Sequence, residues 1–378
     1  MNLFSILIAD EAPPLPSALP PAIARNLASF REHHPGLPHR LYDQAAIRDF
    51  LRTHTEADVA WAYEQLLPYA YRADLARLCL LHEFGGLYAD LSVFFHAPLP
   101  VGSDKMIVFR DRAHVAPWIV SNTIVGAPAR APALEAAIRM IVANCRTRYR
   151  GASSLCPTGP VLLGKAIAMH CEPQQIHLGE VANAAQSDTH EALVFIDATD
   201  RRMIGYRTKA QAGLAGLGLT HGVNDYNDFY YAHLTYAADY PVLVPADYLL
   251  RHGHGAAGAD GPQPAWRAPA GKPDGAGAHP LVLCSLPFPF AAGRYRIVLE
   301  LDDAAAGDAL ALLALGAGGA TLARQERRIA EGGPATLALD LLLPASRKDI
   351  AVAVLAAPGA RLRIGGLRVE RPQHEQAQ

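Results

Sequence analysis

The sequence has few cysteines and no long hydrophobic run. Its 378 residues include five cysteines. These are widely spaced, and no two form a Cys-x-x-Cys pair; they are Cys79, Cys145, Cys156, Cys171 and Cys284. Such cysteines provide neither a disulfide framework nor a zinc site, so we expect free thiols and a cytoplasmic location. The longest apolar stretch, residues 309–323, is about 15 residues long and falls short of the roughly 20 that a membrane-spanning helix needs.

The sequence also has no excess of charge of either sign. Lys and Arg together number 34 and Asp and Glu 36, which gives a net charge of −2. This balance predicts no nucleic-acid partner, and it leaves only a small local patch for peripheral contact with the inner membrane surface. Residues 1–10 have no basic n-region and no small-residue cleavage site, so they predict a first strand rather than a signal peptide.

Composition changes once along the chain. Residues 251–280 are rich in Gly, Pro and Ala and predict a linker or a long surface loop. Before this segment, helical and strand periods alternate, as is typical of an α/β domain. After it, apolar residues alternate at period two and predict a small all-β sandwich. We therefore expect an α/β domain over 1–250, the linker, a β-sandwich over 281–372, and a disordered tail over 373–378.

The most informative segment is residues 69–95, which read YAYRADLARLCLLHEFGGLYADLSVFF. Its first half has apolar residues at helical spacing, and Gly85-Gly86 supplies the usual stop signal of a helix. The residues that follow alternate between apolar and polar as far as Val93, which predicts a strand. Asp90 lies near the end of that apolar strand, where a carboxylate needs a partner and where α/β sheets bind ligands.

Four stretches resemble one family of enzymes. The run Arg72-Ala73-Asp74-x-x-Arg77, followed by Gly85-Gly86-x-Tyr88-x-Asp90, resembles the sugar-nucleotide signature of the family 32 glycosyltransferases. These include the Och-type mannosyltransferases and are related to the clostridial glucosylating toxins. Three further stretches match in family order: SNTIVGAP at 121–128, PTGP at 157–160 and HGVNDY at 221–226. The resemblance covers residues 1–245, implies a GT-A fold with retention of anomeric configuration, and leaves the sandwich unassigned.

The resemblance implies roles for individual residues. Asp74, Arg77 and Asp90 match the residues at the reacting centre, where the first two contact hydroxyls of the donor sugar. Further residues are implied to bind the nucleotide-sugar; they are Arg72, Tyr88, Asn122, Asn224 and Asp225. Without the resemblance, Asp74 and Arg77 are three positions apart and would be interpreted as an ion pair on a helix surface.

One position departs from the family pattern. The family has Asp-x-Asp where this chain has Asp90-Leu91-Ser92. In the enzymes that it resembles, the second Asp ligates a Mn or Mg ion that bridges the diphosphate. Serine is a neutral and weaker oxygen ligand. The resemblance therefore implies a metal site at Asp90, Ser92 and His221, and two compensations stay open: His221 or Asp225 completes the site, or Arg and Lys replace the metal.

The hypothesis is a retaining glycosyltransferase that moves a sugar from a nucleotide-diphosphate donor to a glycan or lipid-linked hydroxyl acceptor in polysaccharide biosynthesis. A UDP-sugar is favoured as the donor, with a GDP-sugar as the alternative. A competing hypothesis is a non-catalytic sugar-nucleotide or glycan-binding protein that has lost the second Asp. A third is a metal-independent transferase, which predicts activity in the presence of a chelator.

Overall fold

The computed structural model of the chain describes most of its residues. They are residues 1–8, 19–102, 104–112, 116–183, 192–208, 226–246, 249, 256–258, 265–267, 281–285, 287–357 and 360–372. The chain divides into two compact units, Met1–Tyr236 and Ala237–Gln378. In the described residues, no helix is long and apolar enough to cross a membrane. The predicted tail, 373–378, lies outside the described residues.

The first unit is a mixed sheet with helices. Its strands are β1 (Asn2–Leu7), β2 (His39–Asp43), β3 (Gly86–Ala89), β4 (Val93–Phe95), β5 (Met106–Arg110), β6 (Ile124–Ala127), β7 (Ile176–Asn183), β8 (Ala192–Asp197) and β9 (Met203–Thr208). Its helices are α1 (Pro21–Glu32), α2 (Gln44–His54), α3 (Ala57–Gln65), α4 (Tyr69–Phe84), α5 (Pro132–Thr147), α6 (Pro160–His170) and α7 (Tyr226–Tyr231). A short 3₁₀ turn spans Pro173–Gln175.

The strands of this unit form one sheet in the order β2-β1-β3-β6-β5-β7-β8-β9-β4. Strand β1 is parallel to both β2 and β3, while β3 is antiparallel to β6. Both faces of β1 are buried, since Phe4 and Ile6 belong to one apolar cluster and Leu3 to another. A strand that is covered on both faces has a nearly continuous apolar sequence, and residues 3–8 are apolar except for Ser5. The predicted first strand and the α/β class of this unit are confirmed.

Helix α4 and strand β3 have the junction that the sequence predicts. The helix ends at Phe84; Gly85, which caps it, has φ +60°, and Gly86 has φ +125°. Only glycine adopts such values without strain. The predicted strand, however, stops at Ala89 instead of continuing to Val93. Residues 90–92 form a turn, closed by a 3.1 Å hydrogen bond from the Val93 N–H to the Asp90 carbonyl.

The second unit is built mainly of β-strands in the residues described. Its strands are β10 (Val242–Pro245), β11 (Ala256–Gly258), β12 (Ala265–Arg267), β13 (Leu281–Cys284), β14 (Phe288–Phe290), β15 (Gly293–Ala304), β16 (Ala309–Leu315), β17 (Thr321–Arg328), β18 (Gly333–Leu343), β19 (Arg347–Ala356) and β20 (Arg361–Glu370). Single 3₁₀ turns span Ala237–Asp239 and Ala317–Gly319. One sheet has the order β11-β12-β20-β15-β18 with β10 on β20; the other has β13-β19-β16-β17 with β14 on β19.

The alternation of apolar and polar residues along the strands explains how the second unit is packed. Tyr295, Ile297 and Leu299 of β15 are buried in one cluster with apolar residues of both sheets. The pairing of β15 with β20 shifts register after Glu300, which leaves Gly365 out of the ladder as a β-bulge. The all-β sandwich predicted after the linker is confirmed as well.

The boundary of the second unit differs from the predicted one. Strand β10 pairs with β20, so the chain joins the second unit before residue 250. Strands β11 and β12 lie inside the segment predicted as a linker, 251–280, where they pair with each other, and β12 also pairs with β20. Each of the two strands has only three residues and β11 forms the edge of the sheet, so the Gly and Pro residues that flank them stay outside the ladder.

Candidate functional site

A cavity of about 420 Å³ lies beside the carboxyl end of β3 in the first unit. Helix α4, the turn after β3, the segment before β6, the segment before α6, and strand β9 all contribute lining residues. The polar side chains that matter below are Asp74, Arg77, Asp90, Asn122, Thr123 and Arg207. The strand end predicted to hold a ligand site therefore does border a cavity.

Asp74 is buried and held by three groups. Its Oδ1 accepts a 2.9 Å hydrogen bond from Asn122 Nδ2, and its Oδ2 accepts a 2.8 Å hydrogen bond from Thr158 Oγ1. Arg77 Nη2 lies 3.4 Å from Oδ1. Burial raises the pKa of the Asp74 carboxyl, and this effect is opposed by Arg77 and by the two hydrogen bonds. The pair with Arg77 is thus not an exposed ion pair on a helix surface.

Arg77 joins the elements around Asp74. Its Nε donates a 3.1 Å hydrogen bond to the Ala73 carbonyl, and its Nη1 donates to the Asn122 carbonyl. The same Nη1 lies 3.4 Å from Asp90 Oδ1. Burial alone would lower the pKa of the Arg77 guanidinium, but Tyr88, Asp90 and Asp74 raise it overall. A permanently charged fork therefore fixes the distance between two carboxylates.

Tyr88 orients Asp90. Its Oη donates a 2.7 Å hydrogen bond to Asp90 Oδ1, and its ring lies 4.4 Å below the Arg77 guanidinium carbon. Tyr88 is buried, and burial raises the pKa of its phenol well above the ordinary value. The Asp90 side chain is 28% exposed and lines the cavity. Tyr88 thus supports a carboxylate that faces the cavity.

Two residues to which the sequence assigned no individual role, Thr158 and Arg207, complete the arrangement. Arg207 Nη1 donates a 3.0 Å hydrogen bond to Thr123 Oγ1 and lies 3.9 Å from Asp90 Oδ2. Thr158 belongs to the PTGP stretch just before α6, which begins at Pro160, and it donates the hydrogen bond to Asp74 Oδ2 described above. Neither contact has a local signal, because each joins residues 84 positions apart.

Other predicted residues lie elsewhere. Arg72 is buried, donates a 2.7 Å hydrogen bond from Nε to the Leu66 carbonyl, and packs over the Tyr63 ring. Two residues five positions apart on a helix are rotated by about 140° about its axis, so Arg72 and Arg77 face different sides of α4. Ser92 is half-buried in the turn after β3. Neither Arg72 nor Ser92 lines the cavity. Three further predicted residues lie outside the described residues: His221, Asn224 and Asp225.

The described residues do not fit a divalent cation. They contain no group of three or more His, Cys, Asp or Glu side chains that is suited to hold a metal ion. Asp90 Oδ1 already accepts from Tyr88, and guanidinium nitrogens lie 3.4 Å and 3.9 Å from its two oxygens. A cation bound at Asp90 would be repelled by two fixed positive charges. Ser92 offers only a neutral oxygen.

The segment that contains Asp74, Arg77 and Asp90 of this site matches the model of a known family. Residues 20–112 match the family model described as a glycosyltransferase sugar-binding region containing a DXD motif. The glycosyltransferase resemblance of the motif residues is confirmed. The matched region includes Asp74, Arg77 and Asp90, and it ends before Asn122 and Arg207.

Whole-chain comparisons give more distant likenesses. No curated protein matches the chain. The structure titled PaToxG glycosyltransferase is 16% identical, with 44% of this chain and 67% of that chain covered and a TM-score of 0.34. The ligand-free glycosyltransferase domain from the YGT toxin is 11% identical, with 40% of this chain and 55% of that chain covered and a TM-score of 0.29. The carbohydrate binding module of Cellvibrio mixtus lichenase 5A, in complex with cellotriose, is 16% identical, with 35% of this chain and 98% of that chain covered and a TM-score of 0.24. Likeness at this level carries no inference about ligand or activity.

Proposed function

We propose that this chain is a glycosyltransferase that uses a nucleoside diphosphate sugar as its donor. The observation that carries the proposal is the buried network of Asp74, Arg77 and Asn122, which reaches the cavity through Asp90. The network lies largely within the segment that matches a sugar-binding region. Sugar hydroxyls donate and accept hydrogen bonds, and carboxylates and guanidinium groups held at fixed positions are strong partners for them.

Each member of the network has a distinct task in this proposal. Asp90 accepts hydrogen bonds from donor-sugar hydroxyls, because its carboxylate is the partly exposed one. Asp74 holds Asn122 and Arg77 in place from within the protein. Asn122 Oδ1 is buried beside the cavity and has no hydrogen-bond partner in the described part of the chain, so it is an acceptor available to a hydroxyl.

The reaction needs little acid–base chemistry from the protein. The bond between the anomeric carbon and the diphosphate oxygen breaks, and a bond forms between that carbon and the acceptor oxygen. The proton of the acceptor hydroxyl passes to the departing nucleoside diphosphate. Retention of configuration follows from the family resemblance, and a glycan or lipid-linked acceptor in polysaccharide biosynthesis is the corresponding expectation. Asp74 is held on both oxygens, which suits positioning rather than the acid and base pair of a glycoside hydrolase.

The test is the release of nucleotide from a panel of UDP- and GDP-sugars, with candidate glycan acceptors, by the full chain. We expect one donor to be turned over, with a UDP-sugar favoured. In Asp90→Asn, turnover should fall on the order of 100-fold, as when one electrostatic contact to a transition state is removed. Asp49→Asn is the matched control, because the Asp49 side chain is exposed and pairs only with Arg52 among the contacts described.

A binding protein without catalysis is the second candidate. Serine at position 92, in place of the second motif carboxylate, is the observation that favours it. A binding protein would hold a nucleotide-sugar with measurable affinity, release no nucleotide with any acceptor, and change only in affinity upon Asp90→Asn. That combination of results would contradict the transferase proposal.

A further inference from the structure

Arg207 occupies a position that the motif does not explain. It lies on β9, which pairs with β4 so that Arg207 is directly opposite Val93. Strand β4 begins immediately after the turn formed by Asp90, Leu91 and Ser92. The topology therefore brings a guanidinium from a distant part of the sequence to the turn in which the second motif carboxylate is missing.

The contacts of Arg207 hold its guanidinium at the cavity. Its Nη1 donates to Thr123 Oγ1 at 3.0 Å, and the 3.9 Å separation from Asp90 Oδ2 is an ion pair without a direct hydrogen bond. Its Nε has no acceptor among the residues described. The side chain is 16% exposed and lines the cavity together with Leu193. Protein acceptors thus leave several donors of this guanidinium unused.

A nucleoside diphosphate sugar brings a need for positive charge. The diphosphate develops negative charge as it leaves, and either a bound cation or fixed side chains must neutralise it. A second motif carboxylate would recruit a divalent cation, but Ser92 does not supply that charge. Arg77 is not suited to this task, because its guanidinium is buried between Asp74 and Asp90.

We propose that Arg207 binds the diphosphate of the donor directly, and that this chain binds nucleoside diphosphates without a divalent metal; the inference rests on the proposed function. Arg207 is the described cation that lines the cavity and is partly exposed there. A guanidinium presents a planar fork of donors that matches two phosphate oxygens. The Asp90 carboxylate and the Thr123 hydroxyl keep that fork in place before the ligand arrives.

The experiment is calorimetric titration of the full chain with UDP and with GDP, once in excess EDTA and once in Mn²⁺. We expect at least one of the two nucleotides to bind in EDTA about as tightly as in Mn²⁺. In EDTA, Arg207→Gln should weaken that binding on the order of 10- to 100-fold, because a hydrogen-bonded charge pair is lost. Arg207→Lys keeps the charge but not the planar fork of donors, so its affinity in EDTA should lie between those of the unmodified chain and Arg207→Gln.

Two further variants separate charge loss from damage to the fold. Arg202→Gln removes an arginine from the turn before β9 and should bind like the unmodified chain, because Arg202 is exposed and does not line the cavity. Thr123→Val removes the anchor of Arg207 but keeps its charge, so binding should weaken by a smaller factor than in Arg207→Gln. Thermal unfolding of each variant reports whether the fold is intact.

Each outcome has one meaning. Binding in EDTA that is lost in Arg207→Gln and kept in Arg202→Gln supports the inference. Binding that requires Mn²⁺, or binding in EDTA that Arg207→Gln leaves unchanged, overturns the inference and leaves the proposed function standing. The absence of nucleotide binding in both conditions overturns the inference and the proposed function together.

Discussion

Thr158 Oγ1 donates a 2.8 Å hydrogen bond to Asp74 Oδ2, across 84 positions of the sequence. Both residues are buried. The neighbouring Gly159 also lies beside Asp74: a Cβ there would make an ordinary contact with Asp74 Oδ2 at 3.5 Å and a tighter one with the Leu155 carbonyl oxygen at 3.2 Å. The start of α6 thus fixes a carboxylate on α4, and the rigidity of the polar network depends on a tertiary contact.

Replacement of Thr158 by Val tests that contact. The variant keeps the shape of the side chain and removes the donor, so a buried carboxylate oxygen loses its partner. We expect a loss of about 1–3 kcal/mol in the free energy of unfolding. Thr147→Val is the control: Thr147 is exposed near the end of α5, so its loss should be within about 0.5 kcal/mol. Urea unfolding measures both, and equal losses would show that the bond to Asp74 contributes nothing specific.

A change of Asn122 to Asp should introduce a pH-dependent defect. The new carboxylate would lie where Nδ2 now donates to Asp74 Oδ1, and two adjacent carboxylates do not both ionise readily. We expect Asn122→Asp to lose about 2–4 kcal/mol of stability at pH 7.5 and to recover part of it at pH 5, where one carboxyl keeps its proton.

Asn122→Ala separates this repulsion from the loss of a hydrogen bond. The alanine variant removes the amide without adding charge, so its stability relative to the unmodified chain should change little between pH 7.5 and pH 5. A parallel response of the two variants, followed by urea unfolding at both values, would contradict the assignment of the defect to Asp74.

The local elements of the fold were predictable from sequence. The junction of α4 and β3 depends on helical spacing and on Gly85 and Gly86, which are signals within one short segment. The alternation of apolar and polar residues after Gly86 predicted too long a strand, because Leu91 is apolar for another reason. It packs in the turn against Ile23 and Leu27 of α1. Periodicity records burial, and it does not record which element buries the side chain.

The candidate site was predictable only in part. Asp74, Arg77 and Asp90 were recognised because their spacing resembles a family motif. The contacts of Thr158 and Arg207 depend on which strands and helices become neighbours, and no local pattern encodes that. Arg72 shows the opposite error: it belongs to the same run of residues as Arg77, but helix geometry directs it to another face of α4.

Gly86 should be irreplaceable for a geometric reason. It has φ +125°, and a Cβ there would lie 2.0 Å from the Asn2 carbonyl oxygen of the adjacent strand β1. We expect Gly86→Ala to lose at least about 3 kcal/mol of stability, since backbone strain adds to an overlap that rigid backbone atoms do not relieve.

Gly36→Ala is the matched control for this loss. Gly36 also has positive φ, at +81°, but apart from its chain neighbours no atom of the described residues lies within 4 Å of the position that a Cβ would take there. The Gly36→Ala variant should lose about 1 kcal/mol of stability, which is the strain of the left-handed conformation alone. Similar unfolding midpoints for the two variants in urea would show that the overlap with Asn2 is relieved.

His39 should make the stability of the first unit depend on pH. Burial, helped by the charge of Arg31, lowers the pKa of His39 to about 4 from its ordinary 6.5. The Ser5 hydroxyl donates to the Ala89 carbonyl, so its oxygen accepts from the Nε2–H of neutral His39 at 3.3 Å. The unfolded chain therefore takes up a proton at His39 before the folded chain does. The contribution of neutral His39 to the free energy of unfolding is complete well above pH 6.5, and it is lost as the pH decreases from 6.5 towards 4.

His39→Gln isolates this contribution, because a glutamine amide can still donate to Ser5 and does not titrate. After allowance for the partial exposure of the ring, the unmodified chain should lose about 2 kcal/mol more than the variant between pH 7 and pH 4. Urea unfolding at half-unit pH steps measures the difference. The loss should level off below pH 4, because both states are then protonated at His39. Parallel curves for the two proteins would place the pH dependence on other groups.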